Sequence, residues 1–393
     1  ITLQPIKRFD LDSAIIFSDI LMVPHALNQK VEFVKNQGPV LEEFNFKKFL
    51  NNDKISFTQK LYPIYKAIQI TREKLDKNKS LIGFIGAPWT LLIYMLGVKE
   101  SKKEINYKII KTKEFEVNLI LDKLNDYLCT HIENQINAGA DVIQIFDSWA
   151  GLIAPDDLPN YCYIPNLKIV NFCKEKKIPV MCFPKGLNKN YKEFNKVVKP
   201  DAISLDYEID PVWAKQNLTD VVLQGGLDPK LLLSSEKEVF SCAKKYLDIF
   251  KDLPYIFNLG HGLLPETNPD NVAKLINFVR DYDNPTDITT RQDVRFMKCT
   301  SGLNWYALLN TYNLYNVPLG NWRNHRKVRN YLQTVGAEGL DQPDAGGLER
   351  AMCRRTKGPI KEYAGDTAAA KRIKEDRLER ELRSLTAKMD SYY

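Results

Sequence analysis

The sequence lacks the patterns that mark several common classes of protein. No run approaches the roughly 18 consecutive apolar residues of a membrane span, and no signal peptide opens the chain, which begins with Ile rather than Met as a processed chain or a fragment would. No G-x-G-x-x-G follows an apolar run, which weakens a dinucleotide-binding interpretation. The seven cysteines are scattered and never spaced as C-x-x-C, so we expect neither a disulfide framework nor a zinc knuckle. These absences favour a reducing compartment, so we expect a cytoplasmic protein (or an organellar one, if the chain is a processed eukaryotic form) without a membrane partner.

Arginine is scarce before residue 285 and common after that residue. Before residue 285 the only arginines are Arg8, Arg72 and Arg280, whereas twelve lie beyond that point. From residue 286 onward the chain has 19 Lys and Arg and 13 Asp and Glu. This part therefore carries a charge of +6, nearly all of the net charge of +7. This change predicts a boundary near Asn284-Pro285, with a barrel domain over residues 1–282 and a basic, Arg-rich, mostly helical extension over residues 283–393.

Short apolar runs alternate with segments of helical periodicity, such as residues 116–138, 212–217 and 271–281, in the first 282 residues. Continuous apolar strands separated by amphipathic helices predict a parallel sheet covered by helices. Seven such units favour an α/β fold of the (β/α)₈ TIM-barrel type, with one strand missing, over an open doubly wound sheet. The predicted strands are residues 15–21, 81–87, 141–148, 179–185, 202–207, 221–228 and 255–262.

Polar residues stand at the ends of these predicted strands. In a barrel the carboxyl ends of the strands meet at one mouth, where an active site forms. Asp19 ends the first apolar run, and a carboxylate embedded in this way is costly unless a hydrogen-bonding or positive group meets it. An ordinary helix-capping aspartate is the alternative interpretation of Asp19. The strand-end residues are Asp19, Pro88-Trp89-Thr90, Asp147-Ser148, Lys185, Asp206, Asp228 and Gly260-His261.

The four histidines differ in what their surroundings predict. His261 stands between two glycines at a strand end, where backbone approaches a ligand closely, so it is the best functional candidate. His131 lies in a helical stretch and is expected to be a surface or packing residue. His25 is expected in a loop near Asp19, and His325 belongs to the extension.

Five motifs, in order along residues 1–282, resemble the uroporphyrinogen decarboxylase family. Any one of them is a weak match, but their order at successive strand ends is specific. The motifs are Phe17-Ser18-Asp19-Ile20-Leu21, Gly83-Phe84-Ile85-Gly86-Ala87-Pro88-Trp89-Thr90-Leu91 with Tyr94, Phe146-Asp147-Ser148 with Ala150-Gly151, Gln224-Gly225-Gly226-Leu227-Asp228-Pro229, and Asn258-Leu259-Gly260-His261-Gly262.

The resemblance implies a carboxy-lyase that needs neither cofactor nor metal. Enzymes of this family remove the acetate carboxyls of uroporphyrinogen to give coproporphyrinogen, a step of haem and porphyrin biosynthesis. By the family's pattern Asp19 is catalytic and binds the pyrrole N–H groups at the centre of the macrocycle. Tyr94, Ser148 and His261 match the other positions that contact the substrate. The resemblance also implies a homodimer.

The chemistry suits a single carboxylate. Loss of CO₂ from an acetate on a pyrrole needs an electron sink, and protonation of the pyrrole ring makes that sink within the substrate as a cation. A fixed carboxylate stabilises the developing positive charge without reorganising.

The chain also departs from the family's pattern. The family carries an Arg-Gln-x-Gly-Arg segment on its first strand, ahead of Phe17-Ser18-Asp19, and this sequence starts after that point. Those arginines grip substrate carboxylates, a role in which a bidentate guanidinium is hard to replace. We therefore expect an enzyme that is truncated and binds poorly by itself. The alternative is a catalytically inert barrel that serves as a structural subunit through its extension. A related barrel family transfers methyl groups with a zinc held by His and Cys, but no His-x-Cys occurs here.

The extension matches nothing in that family. Residues 323–329 form a basic run with a neighbouring Trp322, and residues 367–389 have the pattern of a charged helix with a narrow leucine face. Mixed charges favour a solvated helix, so nucleic acid is not expected as a partner. The sequence does not identify a partner for the extension.

Overall fold

The computed structural model describes residues 1–34, 38–101 and 104–282. Its strands are β1 (Ser13–Ile15), β2 (Val31–Val34), β3 (Gly38–Leu41), β4 (Ser80–Gly86), β5 (Lys99–Ser101), β6 (Glu104–Ile105), β7 (Val142–Asp147), β8 (Val180–Pro184), β9 (Ala202–Leu205), β10 (Val222–Gly225) and β11 (Tyr255–Ile256). Its α-helices are α1 (Leu3–Phe9), α2 (Met22–Ala26), α3 (Phe46–Leu50), α4 (Lys54–Lys74), α5 (Pro88–Leu96), α6 (Tyr107–Thr112), α7 (Glu114–Asn137), α8 (Ile164–Glu175), α9 (Tyr191–Val198), α10 (Pro211–Asn217), α11 (Glu236–Phe250) and α12 (Pro269–Asp281). A π-helical turn, Pro159–Tyr163, precedes α8, and 3₁₀ turns lie at Ala150–Leu152, Pro155–Asp157, Asn188–Asn190 and Pro229–Leu233.

Seven strands form one parallel sheet in the order β1-β4-β7-β8-β9-β10-β11. Each strand pairs in parallel with its neighbours, and helices connect successive strands. The two outermost strands, β1 and β11, both line one cavity, so the sheet curls towards itself. This is the half-barrel form of a TIM-type α/β barrel, and the predicted fold class is confirmed. Two small antiparallel pairs, β2–β3 and β5–β6, lie outside this sheet.

The core lies mainly between the sheet and its helices. Successive side chains of a strand point to opposite faces, and β7 shows the consequence. Ile143 and Ile145 belong to the large core shared with the helices, whereas Val142 packs with Met181 and Ala202 in a small cluster inside the sheet's curve. Both faces are therefore apolar, which is why the strands appear in the sequence as continuous apolar runs.

The predicted strands occur, but three of them end three or more residues earlier than expected. The prediction of a strand over residues 15–21 is wrong beyond Ile15, because the ladder to β4 ends with the bond from Ile16 N to Ile82 O (3.0 Å). Phe17 N instead donates to the Thr2 hydroxyl (2.9 Å). Strand β10 stops at Gly225, where φ is +81°, a value that a regular strand does not tolerate.

Strand β11 is the shortest of the parallel sheet. Only Tyr255 and Ile256 are paired as a strand, and an isolated bridge between Leu227 and Leu259 continues the contact with the chain after β10. The predicted strand over residues 255–262 is therefore wrong beyond Ile256.

The predicted helices are present as α7, α10 and α12. Helix α12 begins with Pro269 at its first position, as expected, and the Asn268 side chain caps it by accepting from Asp270 N (2.9 Å). His131 is buried in α7, with Nδ1 3.0 Å from the Tyr65 hydroxyl, which confirms its packing role. His25 lies in α2 and is exposed, so the expectation of a loop there is wrong.

The extension and its predicted elements, the basic run of residues 323–329 and the helix of residues 367–389, lie outside the described residues. Among the helices that are described, none combines the length and the apolar character needed to cross a membrane.

Arg72, near the end of α4, fastens the amino-terminal side of the sheet. Its guanidinium donates to the carbonyl oxygens of Leu75 (3.0 Å), Asp76 (2.8 Å) and Lys79 (3.0 Å), and to the Asp141 carboxylate (2.8 Å). The fork of five N–H donors is what allows one side chain to serve four acceptors.

We expect Arg72→Lys to lower the free energy of unfolding by about 2 kcal/mol, because an ammonium cannot reach all four acceptors and leaves some of them unpaired. The matched control is Arg8→Lys. Arg8 pairs with Asp270 at 3.6 Å with both side chains more than half exposed, so its loss should stay below about 0.5 kcal/mol. Urea unfolding of the full chain measures both, and equal losses would contradict the assignment.

Candidate active site

All four predicted site residues follow the carboxyl end of a parallel strand. Asp19 follows β1, Tyr94 lies in the helix after β4, Ser148 follows β7 directly, and His261 follows β11. Strands β1, β4 and β7 are neighbours in the sheet. Their carboxyl ends therefore lie at the same edge of the sheet.

Asp19 is half-buried and stands in a turn rather than at the end of a strand. Its Oδ1 accepts from Leu21 N (2.8 Å), and its carbonyl oxygen accepts from Met22 N (3.2 Å), so the residue shapes the entry into α2. These bonds form a local turn that leads into α2, whose N-cap is Leu21 and which has no side-chain cap. The interpretation of Asp19 as the cap of that helix is therefore wrong, and so is the expectation of a deeply embedded carboxylate. Within the described part of the chain, Oδ2 of Asp19 accepts no hydrogen bond and is available to a ligand.

Tyr94 lies close enough to Asp19 for the two to interact electrostatically. Burial raises the pKa of Tyr94, the Asp19 carboxylate raises it further, and a hydrogen bond with Trp149 lowers it in part. The rings of Tyr94 and Trp149 meet edge to face, with 6.0 Å between their centroids. The phenol therefore keeps its proton at neutral pH and can act as a hydrogen-bond donor.

A cavity of about 510 Å³ occupies the curve of the sheet. This volume is within the range of small-molecule sites. Ser148 and His261 line it, and Asp19 and Tyr94 do not. The structure thus brings together Asp19 with Tyr94, and Ser148 with His261 along one cavity. Its remaining polar lining comes mostly from the inward positions of the strands and from both edges, at Asp12, Ser13, Gln144, Ser204, Gln224 and Asn258.

The residues missed from the sequence are the inward-facing side chains of the strands. Gln144 and Phe146 alternate along β7 in the same period as the predicted Ser148 and line the cavity with it, as Met181 and Phe183 do on β8. Period-2 alternation was the available indication. It was hidden because both faces of these strands carry apolar residues.

Asp147 turns away from the cavity, although it is adjacent to Ser148. Its side chain is 1% exposed. Oδ1 accepts from the Thr90 hydroxyl (2.8 Å), and Oδ2 lies near Asn166 Nδ2 (3.2 Å) and Cys162 Sγ (3.6 Å). Burial raises the pKa of Asp147 to about 6, although hydrogen bonds from these three groups act in the opposite direction.

Two other strand-end carboxylates accept hydrogen bonds from the loops that follow the strands. Asp206 is buried and accepts from the Tyr191 hydroxyl (2.9 Å) and Gly186 N (2.8 Å). Asp228 caps the turn Pro229–Leu233 through Lys230 N (2.9 Å). The expectation that all strand-end polar groups converge on the mouth is therefore wrong for Asp147 and Asp206, which are buried and accept hydrogen bonds from neighbouring parts of the chain.

The loops after β7 and β8 touch backbone to backbone. Gly151 N donates to Lys185 O (2.9 Å). A Cβ on Gly151 would stand 2.8 Å from the Cα of Gly186, so no larger residue fits there without displacing main chain.

A parallel α/β half-barrel defines a TIM-barrel type of enzyme scaffold, and its partly polar cavity is lined in part by residues that follow the carboxyl ends of β7 and β11. The family model described as uroporphyrinogen decarboxylase (URO-D) matches residues 1–282. The chain therefore belongs to the uroporphyrinogen decarboxylase family.

Relatives from several bacteria support this assignment, and each bears the name uroporphyrinogen decarboxylase. The protein of Rickettsia bellii is 39% identical over 289 residues, which cover 72% of this chain and 84% of that protein. That of Orientia tsutsugamushi is 41% identical over 288 residues, with 72% and 83% covered. That of Wolbachia pipientis is 40% identical over 287 residues, with the same coverage.

Among solved structures, a methyltransferase from Methanosarcina mazei is similar in fold, with a TM-score of 0.59 and 18% identity over 70% of this chain and 82% of that one. At this identity the likeness concerns the fold alone. No three His, Cys, Asp or Glu side chains in residues 1–34, 38–101 and 104–282 are grouped as ligands of a metal ion would be.

The raised pKa of Asp147 predicts a particular dependence of stability on pH. A carboxyl with a higher pKa in the folded than in the unfolded state holds an extra proton when folded, so its contribution grows as pH falls through about 6 towards 4. Burial lowers the pKa of His131 to about 3, which acts in the opposite direction over the same range. The two effects oppose each other in the parent protein.

We therefore compare the parent with Asp147→Asn, in which the His131 contribution is unchanged. Between pH 7.5 and pH 5 the parent should gain roughly 1 to 2 kcal/mol of unfolding free energy relative to this variant. Urea unfolding at the two pH values measures the difference. A difference that is constant with pH would contradict the raised pKa.

Proposed function

We propose that this chain removes the acetate carboxyls of uroporphyrinogen as CO₂ and leaves methyl groups, so that coproporphyrinogen is formed without a cofactor. The chain is a carboxy-lyase of the uroporphyrinogen decarboxylase family, and the match of that family's model over residues 1–282 is the observation that carries the proposal. No contact among the described residues favours the alternative of an inert structural barrel.

In the proposed mechanism Asp19 stabilises positive charge on the substrate. A proton added to a pyrrole ring gives a cation, and the C–C bond to the acetate carboxyl then breaks with its electron pair moving into that cation. A second proton converts the resulting methylene into a methyl group, and the first is returned, so that one proton is consumed for each CO₂ released. Oδ2 of Asp19, which accepts no hydrogen bond from residues 1–34, 38–101 and 104–282, supports binding of pyrrole N–H groups, and a carboxylate placed in advance costs no reorganisation during the reaction.

Tyr94, Ser148 and His261 are proposed to contact the substrate around this centre. Tyr94 adjoins Asp19, and its raised pKa favours a neutral phenol that donates to a substrate carboxylate. Ser148 and His261 follow different strands, β7 and β11, and lie at different positions around the cavity. They are therefore suited to hold different parts of one large ligand.

Several further expectations stay predictions. They are the division of the chain near residue 282, the cytoplasmic location, and the absence of nucleic acid as a partner. The homodimer is part of the proposal and is tested below.

Asp19→Ala should lower the rate of decarboxylation by at least about a hundredfold, because it removes the group that stabilises the cation. The assay incubates the full chain with uroporphyrinogen under anaerobic conditions and follows products by their number of carboxyl groups. The matched control is Asp12→Ala, which removes a carboxylate that lines the cavity at the opposite end of β1. Equal rates for the parent and Asp19→Ala would refute the catalytic assignment.

Sedimentation equilibrium of the full chain should give a mass near twice that of one chain at micromolar concentration. The homodimer should also persist when the protein is diluted tenfold. A single-chain mass at every concentration would remove the homodimer from the proposal.

A further inference from the structure

We propose that Asp147 is a positioning residue for this reaction: its buried carboxylate, through Thr90, holds Tyr94 and Ser148 in a fixed mutual arrangement. The inference rests on the proposed function, since it takes Tyr94 and Ser148 as groups that contact the substrate. It concerns a residue that faces away from the cavity and acts through its neighbours.

Thr90 holds the chain on both sides of Ser148. Its hydroxyl donates to Oδ1 of Asp147 (2.8 Å), the residue before Ser148, and accepts from the backbone N–H of Trp149 (3.2 Å), the residue after it. A third bond runs from the indole N–H of Trp89 to Trp149 O (3.0 Å). Ser148 therefore lies in a short segment whose two flanking residues are both bonded to the first turn of α5.

The same contacts fix Tyr94. Thr90 and Tyr94 are one turn apart in α5, and residues four apart lie on the same face of a helix. Thr90 is fully buried, and its hydroxyl is bonded to the chain on both sides of Ser148, so the position of α5 relative to that segment is fixed at this turn of the helix. The ring of Tyr94 also packs edge to face on Trp149, which follows Ser148. The Thr90 hydroxyl thus joins the two substrate-contacting side chains.

The second carboxylate oxygen anchors this arrangement to α8. Asn166 donates through Nδ2 to Oδ2 of Asp147 (3.2 Å) and to Cys162 O (2.8 Å), and the thiol of Cys162 lies 3.6 Å from the same Oδ2. Asp147 therefore bridges α5 and α8 across the end of β7. A carboxylate with this many acceptor positions is the side chain that can meet donors from two helices at once.

Two titratable groups face Asp147, the thiols of Cys162 on the π-helical turn and Cys182 on β8. Burial raises the pKa of both thiols well above the usual value, so they are neutral. Thr90 on α5 and Asn166 on α8 do not titrate. The ionised carboxylate is therefore met by hydrogen bonds, and its protonation near pH 6 converts an acceptor into a donor within this arrangement.

The test compares two changes of Thr90 that remove different things. Thr90→Val keeps the shape of the side chain and removes its hydroxyl, whereas Thr90→Ser keeps the hydroxyl and removes a buried methyl group. If the hydrogen bonds position Ser148 and Tyr94, Thr90→Val should lower kcat by about tenfold or more, since small misplacements of reacting groups are costly. Thr90→Ser keeps the hydroxyl, so its kcat should stay close to that of the parent even if it is the less stable of the two variants.

The matched control is Asp141→Asn, at the opposite end of β7, where the carboxylate accepts from Leu81 N (2.7 Å) and Arg72 (2.8 Å). It should lower the unfolding temperature and leave kcat and KM within about twofold, measured where every variant is folded. A purely structural role for Asp147 predicts instead that kcat follows stability, with Thr90→Ser as the weaker enzyme. That order would overturn the inference.

A second measurement does not depend on turnover. Tryptophan emission of the full chain, titrated from pH 8 to pH 5, should show a transition near pH 6 that Asp147→Asn lacks. The reason is that Trp149 donates to the Thr90 hydroxyl, which is bonded to Asp147, and that Trp89 donates to Trp149. Thr90→Val removes a hydrogen bond that favours the ionised carboxylate, so it should move the transition to higher pH. If the parent does not release CO₂ from uroporphyrinogen, the proposed function fails. The titration still decides whether protonation of Asp147 changes the hydrogen-bonded arrangement of Thr90 with Trp149. An identical titration in parent and Asp147→Asn would overturn the inference.

Discussion

The parallel register of the strands is the constraint on which both the core and the site depend. Ile82 is paired with Val142, and Ile143 with Val180, so the strands end at nearly the same level. Because side chains alternate between the faces, two consecutive residues at that level belong to different environments. Ser148 enters the cavity, and Asp147 enters the layer between sheet and helices. One strand end thereby supplies a ligand-facing group and an internal acceptor.

Three of the strand-end carboxylates are hydrogen-bond acceptors for neighbouring parts of the chain. Asp147, Asp206 and Asp228 each accept hydrogen bonds from neighbouring turns and helices, and each is thereby committed to the structure of a loop. Asp19 differs, since it is half-buried and leaves one oxygen unbonded among the described residues. Of these four carboxylates, Asp19 is therefore the one suited to a cationic ligand.

The sequence allowed the prediction of the sheet better than of its ends. Continuous apolar runs identify β4, β7 and β8 closely, because burial on both faces demands them. The end of β1 could not be predicted, since the apolar residues Ile16 and Phe17 continue past the point where pairing with β4 stops. Which of Asp147 and Ser148 faces the cavity depends on register and curvature, which local composition does not encode. The ordered motifs identified the candidate residues, but they contained no information about the bonds of Asp147 to Thr90 and Asn166.

The contact of Gly151 with the backbone of Gly186 has a consequence for how this family can diversify. Loops after barrel strands are where insertions usually accumulate and new specificities arise. Here the loops after β7 and β8 abut through main chain, with no side chain between them to absorb a change. A residue added to one loop would push directly on the other. Variation in length is therefore expected to occur in both loops together or in neither, and ligand preference would evolve more readily at the ends of the outer strands.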